Sequence, residues 1–68
     1  GGAPVTTGES GTTLTPLRPA GRAMFGERMV DVVAEAGFIG SGEPVRVIEA
    51  NAFRVVVTRS KRTDGENA

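Results

Sequence analysis

The chain of 68 residues has no cysteine and no histidine. Without cysteine there is no disulfide framework and no thiolate metal site. Without histidine, the commonest metal ligand and the commonest general base are both missing. We therefore expect no metal and no cofactor, and a domain held together by burial of apolar side chains. A chain near this size buries about 60% of its unfolded surface, so its stability is marginal.

Long apolar runs and an excess of one charge are also missing. The longest apolar runs have three members, as at Val55–Val57, whereas a membrane-spanning helix needs about 20. Eight basic residues balance eight acidic ones, which argues against nonspecific binding to nucleic acid or to an anionic membrane surface. The chain starts at Gly1 without a methionine and without a signal-peptide pattern. We expect it to be a fragment of a longer protein.

Both ends of the chain are rich in small and polar residues that show no periodicity. Such a composition predicts disordered segments. The sequence therefore predicts a flexible linker at residues 1–11, a folded domain at residues 12–59 and a flexible tail at residues 60–68.

Between these ends, short β-branched and alternating segments predict five strands. The predicted strands are Thr12–Thr15, Gly21–Phe25, Arg28–Ala34, Pro44–Glu49 and Phe53–Thr58. Pro16 and Pro19 confine the first strand to an edge or to a bent segment. The tetrad Phe25-Gly26-Glu27-Arg28 predicts a hairpin with a type II′ turn. Asn51-Ala52 predicts a second hairpin turn. Because alanine tolerates positive φ poorly, this turn is either longer than two residues or strained.

The segment 35–42 interrupts the strands. It holds three glycines within six residues, and each glycine costs a helix about 1 kcal/mol relative to alanine. We interpret it as a turn with Phe38 or Ile39 as an apolar plug. Five strands, two hairpins and one wide connection predict an all-β fold that hides its edges by closure. The best match is a small five-stranded OB-like barrel whose usual inter-strand helix is reduced to this Gly-rich turn. An SH3-like barrel is the alternative.

Strand parity divides the apolar side chains between two faces. The predicted core contains Leu14, Leu17, Ala23, Phe25, Val30, Val32, Ile39, Val45, Val47, Val55 and Val57. Phe53 shares the inward parity of this core.

The outward parity holds more apolar side chains than a small barrel usually exposes. They are Met24, Met29, Val33, Ile48 and Val56, with Arg22, Arg46 and Arg54 as a polar rim. Because larger apolar patches mark interaction sites, these eight residues are the predicted partner-binding surface. The alternative is that β-bulges turn some of them into a second small core.

Catalysis is not predicted. Ser10, Ser41 and Ser60 lie in flexible or Gly-rich segments without a histidine base, and Ser60-Lys61 lies in a tail that no fold holds together. Gly37–Gly42 lacks the Gly-Lys-Ser/Thr of a phosphate loop. The acidic residues lack the clustered spacing of a cation site. We therefore expect no enzyme, and no catalytic, metal-binding or cofactor-binding residue.

Single-stranded nucleic acid is the alternative ligand, because OB-type barrels often stack bases on exposed aromatic side chains. The chain has three phenylalanines and neither tyrosine nor tryptophan. Parity places Phe25 and Phe53 inside, and acidic residues alternate with the arginines. We interpret these charges as ordinary solvated strand faces and expect no nucleic-acid partner.

Several short motifs occur in an order that is typical of a known family. They are Leu17-Arg18-Pro19-Ala20-Gly21, Gly26-x-Arg28, Asp31-Val32-Val33-Ala34, Gly37-Phe38-Ile39, Val45-x-Val47 and Val55-x-Val57. With these motifs the chain resembles the C-terminal domain of NfeD-like proteins over residues 11–59. Two positions depart from the family pattern. Asn51-Ala52 replaces an Asn-Gly type of tip, and Thr13 stands where a small or apolar residue is common.

The resemblance implies an OB-type barrel attached to a membrane anchor outside this chain, with stomatin or flotillin relatives as partners. Long members of the family also carry a separate serine-protease domain of the Clp class, and the family assigns the present domain no catalytic residues. We therefore expect a noncatalytic protein-interaction module on the cytoplasmic side of a membrane, which binds a stomatin- or flotillin-type protein or itself. A nucleic-acid binder and an accessory domain of a membrane-bound serine protease are the alternatives.

Overall fold

The structure, a computed structural model, describes residues 4–60. Five strands form its framework, and they are β1 Ser10–Thr13, β2 Ala20–Phe25, β3 Arg28–Ala34, β4 Pro44–Ala50 and β5 Val55–Arg59. The strands close into a barrel in the order β1-β2-β3-β5-β4, because β1 also pairs with β4. The predicted tail beyond Ser60, including Lys61, lies outside the described residues, as do residues 1–3 of the predicted linker.

All strand pairs are antiparallel except β3 and β5, which run parallel. No helix occurs within residues 4–60, and an irregular connection leads from β3 to β4. This topology confirms the predicted all-β fold and its five-stranded OB-like barrel.

The connection from β3 to β4 brings its apolar plug against the chain before β2. The Leu17 N–H donates to the Ile39 carbonyl at 2.7 Å, and the Ile39 N–H donates to the Leu17 carbonyl at 3.2 Å. Both side chains are buried, whereas Phe38 is 53% exposed. The guanidinium of Arg18 lies over the Phe38 ring, 5.5 Å from its centroid. Ile39, and not Phe38, is therefore the plug.

A two-residue turn joins β2 to β3, since Phe25 pairs with Arg28. Gly26 has a φ of 67°, and no residue other than glycine has a positive φ within the described part of the chain. A positive φ at the first turn residue alone is what a type II′ turn requires. The hairpin then pairs without interruption as far as Ala20 and Val33, so this turn sets the register of both strands.

Leu14 is not a core residue, because its side chain is 46% exposed. β1 begins at Ser10 and ends at Thr13, and the Leu14 N–H still donates to the Arg22 carbonyl of β2 at 2.8 Å. Thr13 faces inward instead, and its buried hydroxyl is satisfied on both sides. It donates to the Gly40 carbonyl at 2.7 Å and accepts from the Glu43 N–H at 2.9 Å. The prediction for Leu14 was wrong because Thr13 pairs with the buried Ala23, so Thr13 faces inward and the next side chain faces outward.

The inward position predicted for Phe53 is also wrong, because its side chain is 95% exposed. β5 begins only at Val55, and residues 51–54 form the tip. The Asn51 Oδ1 atom accepts hydrogen bonds from the N–H groups of Phe53 at 2.7 Å and Arg54 at 3.0 Å. The Asn51 N–H donates to the Arg54 carbonyl at 3.0 Å. This Asx-type turn makes the tip longer than two residues, as the sequence allowed, and removes Phe53 from the strand.

Residues before β1 contribute to the packing as well. Val5 is 2% exposed and belongs to the buried core cluster. The guanidinium of Arg28 donates to the Pro4 carbonyl at 2.8 Å and to Glu9 Oε1 at 2.7 Å. These contacts hold the segment 4–9 against the barrel. The packed part of the chain therefore starts within the predicted linker of residues 1–11, whose flexibility stays a prediction.

A substitution at Val47 tests the assignment of side chains to the core. Every predicted core residue except Leu14 is buried. The buried members are Leu17, Ala23, Phe25, Val30, Val32, Ile39, Val45, Val47, Val55 and Val57. Val47→Ala should lower the free energy of unfolding by about 1–3 kcal/mol, because it removes buried methyl groups and leaves a cavity. Chemical denaturation followed by circular dichroism measures this. The control Met29→Ala, at a side chain that is 58% exposed, should change it by less than about 0.5 kcal/mol. Equal losses in both variants would contradict the assignment.

A substitution at Gly11 tests how closely β1 packs against the core. A Cβ atom at this position would lie 2.7 Å from two carbon atoms of the Phe25 ring and would collide with the Met24 carbonyl. Gly11→Ala should therefore destabilise the domain by about 1–3 kcal/mol through overpacking. Gly40→Ala is the matched control, because the nearest atoms to its Cβ are 4.0 Å away and its φ is not positive. Thermal unfolding that shifts equally in both variants would refute this packing.

Candidate docking surface

A β-bulge in β4 shapes the outer face of the barrel. Val47 pairs with Val57, but Glu49 already pairs with Val56, so Ile48 is the extra residue. A bulge of this kind places two residues of one strand opposite one residue of the other. As a result Ile48 and Glu49 both lie beside Val56, and the chain beyond them returns to the core through Ala50.

Three apolar side chains meet at this bulge, and we call Val33, Ile48 and Val56 the outer apolar patch. Val33 and Val56 are partners in the parallel pairing of β3 with β5. All three line one shallow cavity of about 290 Å³, together with Arg54. Val56 is 8% exposed although it lies outside the main core cluster. It is therefore covered from the outer side of the sheet.

The two methionines of the predicted surface lie elsewhere. Met24 and Met29 are partners in the β2–β3 hairpin, where Met24 is half-buried and Met29 is exposed. Along β3, Met29 and Val33 are four residues apart, which is about 13 Å. The side chains of Arg22 and Asp31 form an ion pair at 3.3 Å between the two groups. The structure thus brings together three of the five predicted apolar residues and separates the two methionines from them.

The three arginines of the predicted rim have different surroundings. Arg22 is held by Asp31. Arg46 lies two residues before Ile48 on β4, and Arg54 lines the cavity of the outer apolar patch. Within residues 4–60, neither Arg46 nor Arg54 forms an ion pair. Two exposed cations therefore lie at the outer apolar patch, and Glu35 and Glu49 line the same cavity as Arg54.

A second concave surface was missed by the sequence reasoning. Two adjoining cavities of about 450 Å³ and 320 Å³ lie between β3 and the tip at residues 51–54. Asp31, Phe53, Arg54 and Val55 line both of them, and we call this surface the edge groove. The signal that could have revealed it is Asn51, whose side chain caps a longer tip and leaves Phe53 in solvent.

The described residues offer little for metal chemistry. Within residues 4–60, no group of three or more histidine, cysteine, aspartate or glutamate residues could hold a metal ion. Buried side-chain nitrogen and oxygen atoms in this part of the chain all have hydrogen-bond partners.

In the described part of the chain, no helix has the length and apolar content needed to cross a bilayer.

Comparisons with known proteins confirm the family resemblance drawn from the ordered motifs. A family model described as "NfeD-like C-terminal, partner-binding domain" matches residues 6–59. The chain is 40% identical over 50 residues to "Membrane protein NfeD1b" of Bacillus subtilis (strain 168), a match that covers 74% of this chain and 11% of that protein. The chain therefore spans only a small part of that relative's length.

A solved structure has the same fold. It is described as the C-terminal domain of stomatin operon partner protein 1510-C from Pyrococcus horikoshii, and it matches with a TM-score of 0.75 at 26% sequence identity. The match covers 82% of this chain and 89% of the other.

One carboxylate near the edge groove is electrostatically perturbed. The Thr6 N–H donates to Glu9 at 2.8 Å, and the Arg28 guanidinium also donates to it. These two hydrogen bonds, the Thr6 bond first, hold the pKa of Glu9 below the ordinary glutamate value. Arg28 in turn holds the Pro4 carbonyl, and Pro4 lines the edge groove. Glu9 therefore helps to fix one wall of the groove.

The stabilising effect of Glu9 should depend on pH. Because its pKa is lower in the folded state, its contribution is complete above the unfolded pKa of about 4.3 and is lost as the pH falls through the lower folded value. Unfolding measured at several pH values should show Glu9→Gln less stable than the parent at pH 7, with the difference shrinking below about pH 4. Thr7→Gln serves as the exposed control. A difference that is independent of pH would contradict the role of the carboxylate.

Proposed function

Because the chain belongs to the family of NfeD-like C-terminal, partner-binding domains, we propose that it is a noncatalytic docking module for a stomatin- or flotillin-type protein. Its docking surface is centred on the outer apolar patch. The eight residues predicted from parity contribute unequally to this docking surface. The residues that contact the partner are Val33, Ile48, Val56, Arg46 and Arg54.

One observation carries this proposal. Val33, Ile48 and Val56 line one cavity on the outer side of the sheet, and none of them belongs to the main core cluster. Arg46 and Arg54 border them without an ion pair in the described part of the chain. Interfaces have this anatomy, in which an apolar centre is enclosed by a polar rim and arginine is enriched.

The partner class follows from the relatives. A relative is called a membrane protein, and the matching structure is part of a protein called a stomatin operon partner. By analogy, the parent protein is attached to a membrane through a segment outside residues 4–60 and presents this module on the cytoplasmic side. Stomatin-type proteins, or flotillin relatives, are then the partners to test.

Nucleic-acid binding is less well supported. Single-strand binders stack several bases on a row of aromatic side chains. In the described part of the chain only Phe38 and Phe53 are exposed aromatic residues, and Phe38 already lies against Arg18. One free aromatic side chain is not a stacking platform.

The proposal predicts that negative charge in the outer apolar patch blocks docking. Val33→Glu and Ile48→Glu should leave the domain folded, because both side chains are only half-buried, and should weaken binding to a purified stomatin-type protein at least tenfold. Isothermal titration measures the affinity, and circular dichroism checks the fold.

The matched control is Phe38→Glu, which adds the same charge at an exposed apolar side chain beside Arg18. It should bind within about threefold of the parent. Folded patch variants that bind like the parent would refute this docking surface. Absence of binding by the parent itself would refute the partner class.

A further inference from the structure

β3 has one edge that is only partly used. On one side it pairs with β2 over six residues, from Ala20↔Val33 to Phe25↔Arg28. On the other side it pairs with β5 only at Val33 and Ala34. Within residues 4–60, the stretch Arg28–Val32 therefore has no strand partner on that side. We call this stretch the open edge of β3.

The hairpin register shows which backbone groups the open edge presents. Phe25 and Arg28 close a two-residue hairpin and form a hydrogen-bonded pair, and such pairs alternate along an antiparallel ladder. Val30 and Val32 therefore bond to β2. The N–H and C=O groups of Met29 and Asp31 point the other way. Neither residue makes a further backbone hydrogen bond in the described part of the chain.

Space for another strand lies directly beside these groups. The edge groove separates the open edge from the tip at residues 51–54, with volumes of about 450 Å³ and 320 Å³ in its two parts. Phe53 is 95% exposed and Met29 is 58% exposed. The groove therefore combines unpaired backbone donors and acceptors with two solvent-exposed apolar side chains.

The charge of the groove indicates what fits it. Asp31 is neutralised by Arg22, and Arg28 is neutralised by Glu9. Arg54 lines both parts of the groove and has no ion pair within residues 4–60. The groove therefore carries one uncompensated positive charge, which favours a carboxylate in the bound segment.

We propose that an extended segment of the partner protein adds to the open edge of β3 as an extra strand. Its backbone bonds to Met29 and Asp31, an apolar side chain packs against Met29 and Phe53, and a carboxylate pairs with Arg54. Strand addition to an exposed sheet edge is a general mode of peptide recognition, in which main-chain bonds supply affinity and pockets supply specificity. This inference rests on the proposed function in so far as the partner is a protein.

Amide hydrogen exchange of the unmodified domain tests the backbone contacts directly. In the free domain, the Met29 and Asp31 amides should exchange fast, whereas the Val30 and Val32 amides should be protected by β2. Addition of a short synthetic peptide of alternating valine and glutamate, or of a purified stomatin-type protein, should slow exchange at Met29 and Asp31 at least tenfold. Binding without protection at these two amides would overturn the proposal.

Asp31→Pro removes the outward N–H while leaving the bonds of β3 to β2 intact, since proline is tolerated where a strand N–H faces solvent. Asp31→Ala is the matched control, because it loses the same carboxylate and keeps the N–H. Titration with the valine–glutamate peptide should show at least tenfold weaker binding for Asp31→Pro and a change within about threefold for Asp31→Ala. A folded Asp31→Pro variant that binds like Asp31→Ala would overturn the proposal.

Two further probes separate the remaining outcomes. A valine–glutamine peptide should bind several-fold more weakly than the valine–glutamate peptide, and equal binding would overturn the role of Arg54. Protection of Met29 and Asp31 that rises with the domain's own concentration would identify a second copy as the occupant and would overturn the assignment to a partner segment. Peptide binding without binding of the stomatin-type protein would refute the proposed function while supporting the open edge.

Discussion

The short parallel contact between β3 and β5 is the constraint on which the rest of this structure depends. It joins only two residue pairs, Val33 with Val56 and Ala34 with Val57, yet the closed ring of strands requires it as much as the pairing of β1 with β4. Closure of a barrel removes the free strand edges at which another chain could pair. A chain with no disulfide depends on this closure to protect the edges of its sheet. Its brevity also leaves most of β3 unpaired on one side. The same contact therefore creates the outer apolar patch and the open edge of β3.

A barrel this small also needs its interior and its ends filled. Leu17 and Ile39 bond to each other through their backbones, and Val5 joins the core from before β1. The one buried polar side chain in the described residues, Thr13, is fully bonded through its hydroxyl. Interior packing thus accounts for the inward residues, whereas the outward apolar residues Val33 and Ile48 remain half-buried.

The two concave surfaces share Arg54, which lines both the cavity of the outer apolar patch and the edge groove. They offer different chemistry. The patch presents apolar side chains with little exposed area, whereas the groove presents backbone hydrogen-bonding groups beside Met29 and Phe53. A folded partner surface suits the first, and an extended segment suits the second.

The sequence by itself determined the features that depend on neighbours along the chain. Alternation placed Val30, Val32, Val45 and Val47 inside, and Gly26 specified the turn that aligns β2 with β3. Tertiary structure decided what depends on pairing between distant segments. The pairing of Thr13 with β2 moved Leu14 outward, and the Asn51 side chain shortened β5 and exposed Phe53. The bulge at Ile48 and the parallel pairing of Val33 with Val56 turned five scattered outward residues into one patch and a separate methionine pair. Parity along one strand predicts the face of a side chain, but only the register between strands decides which side chains on that face are neighbours.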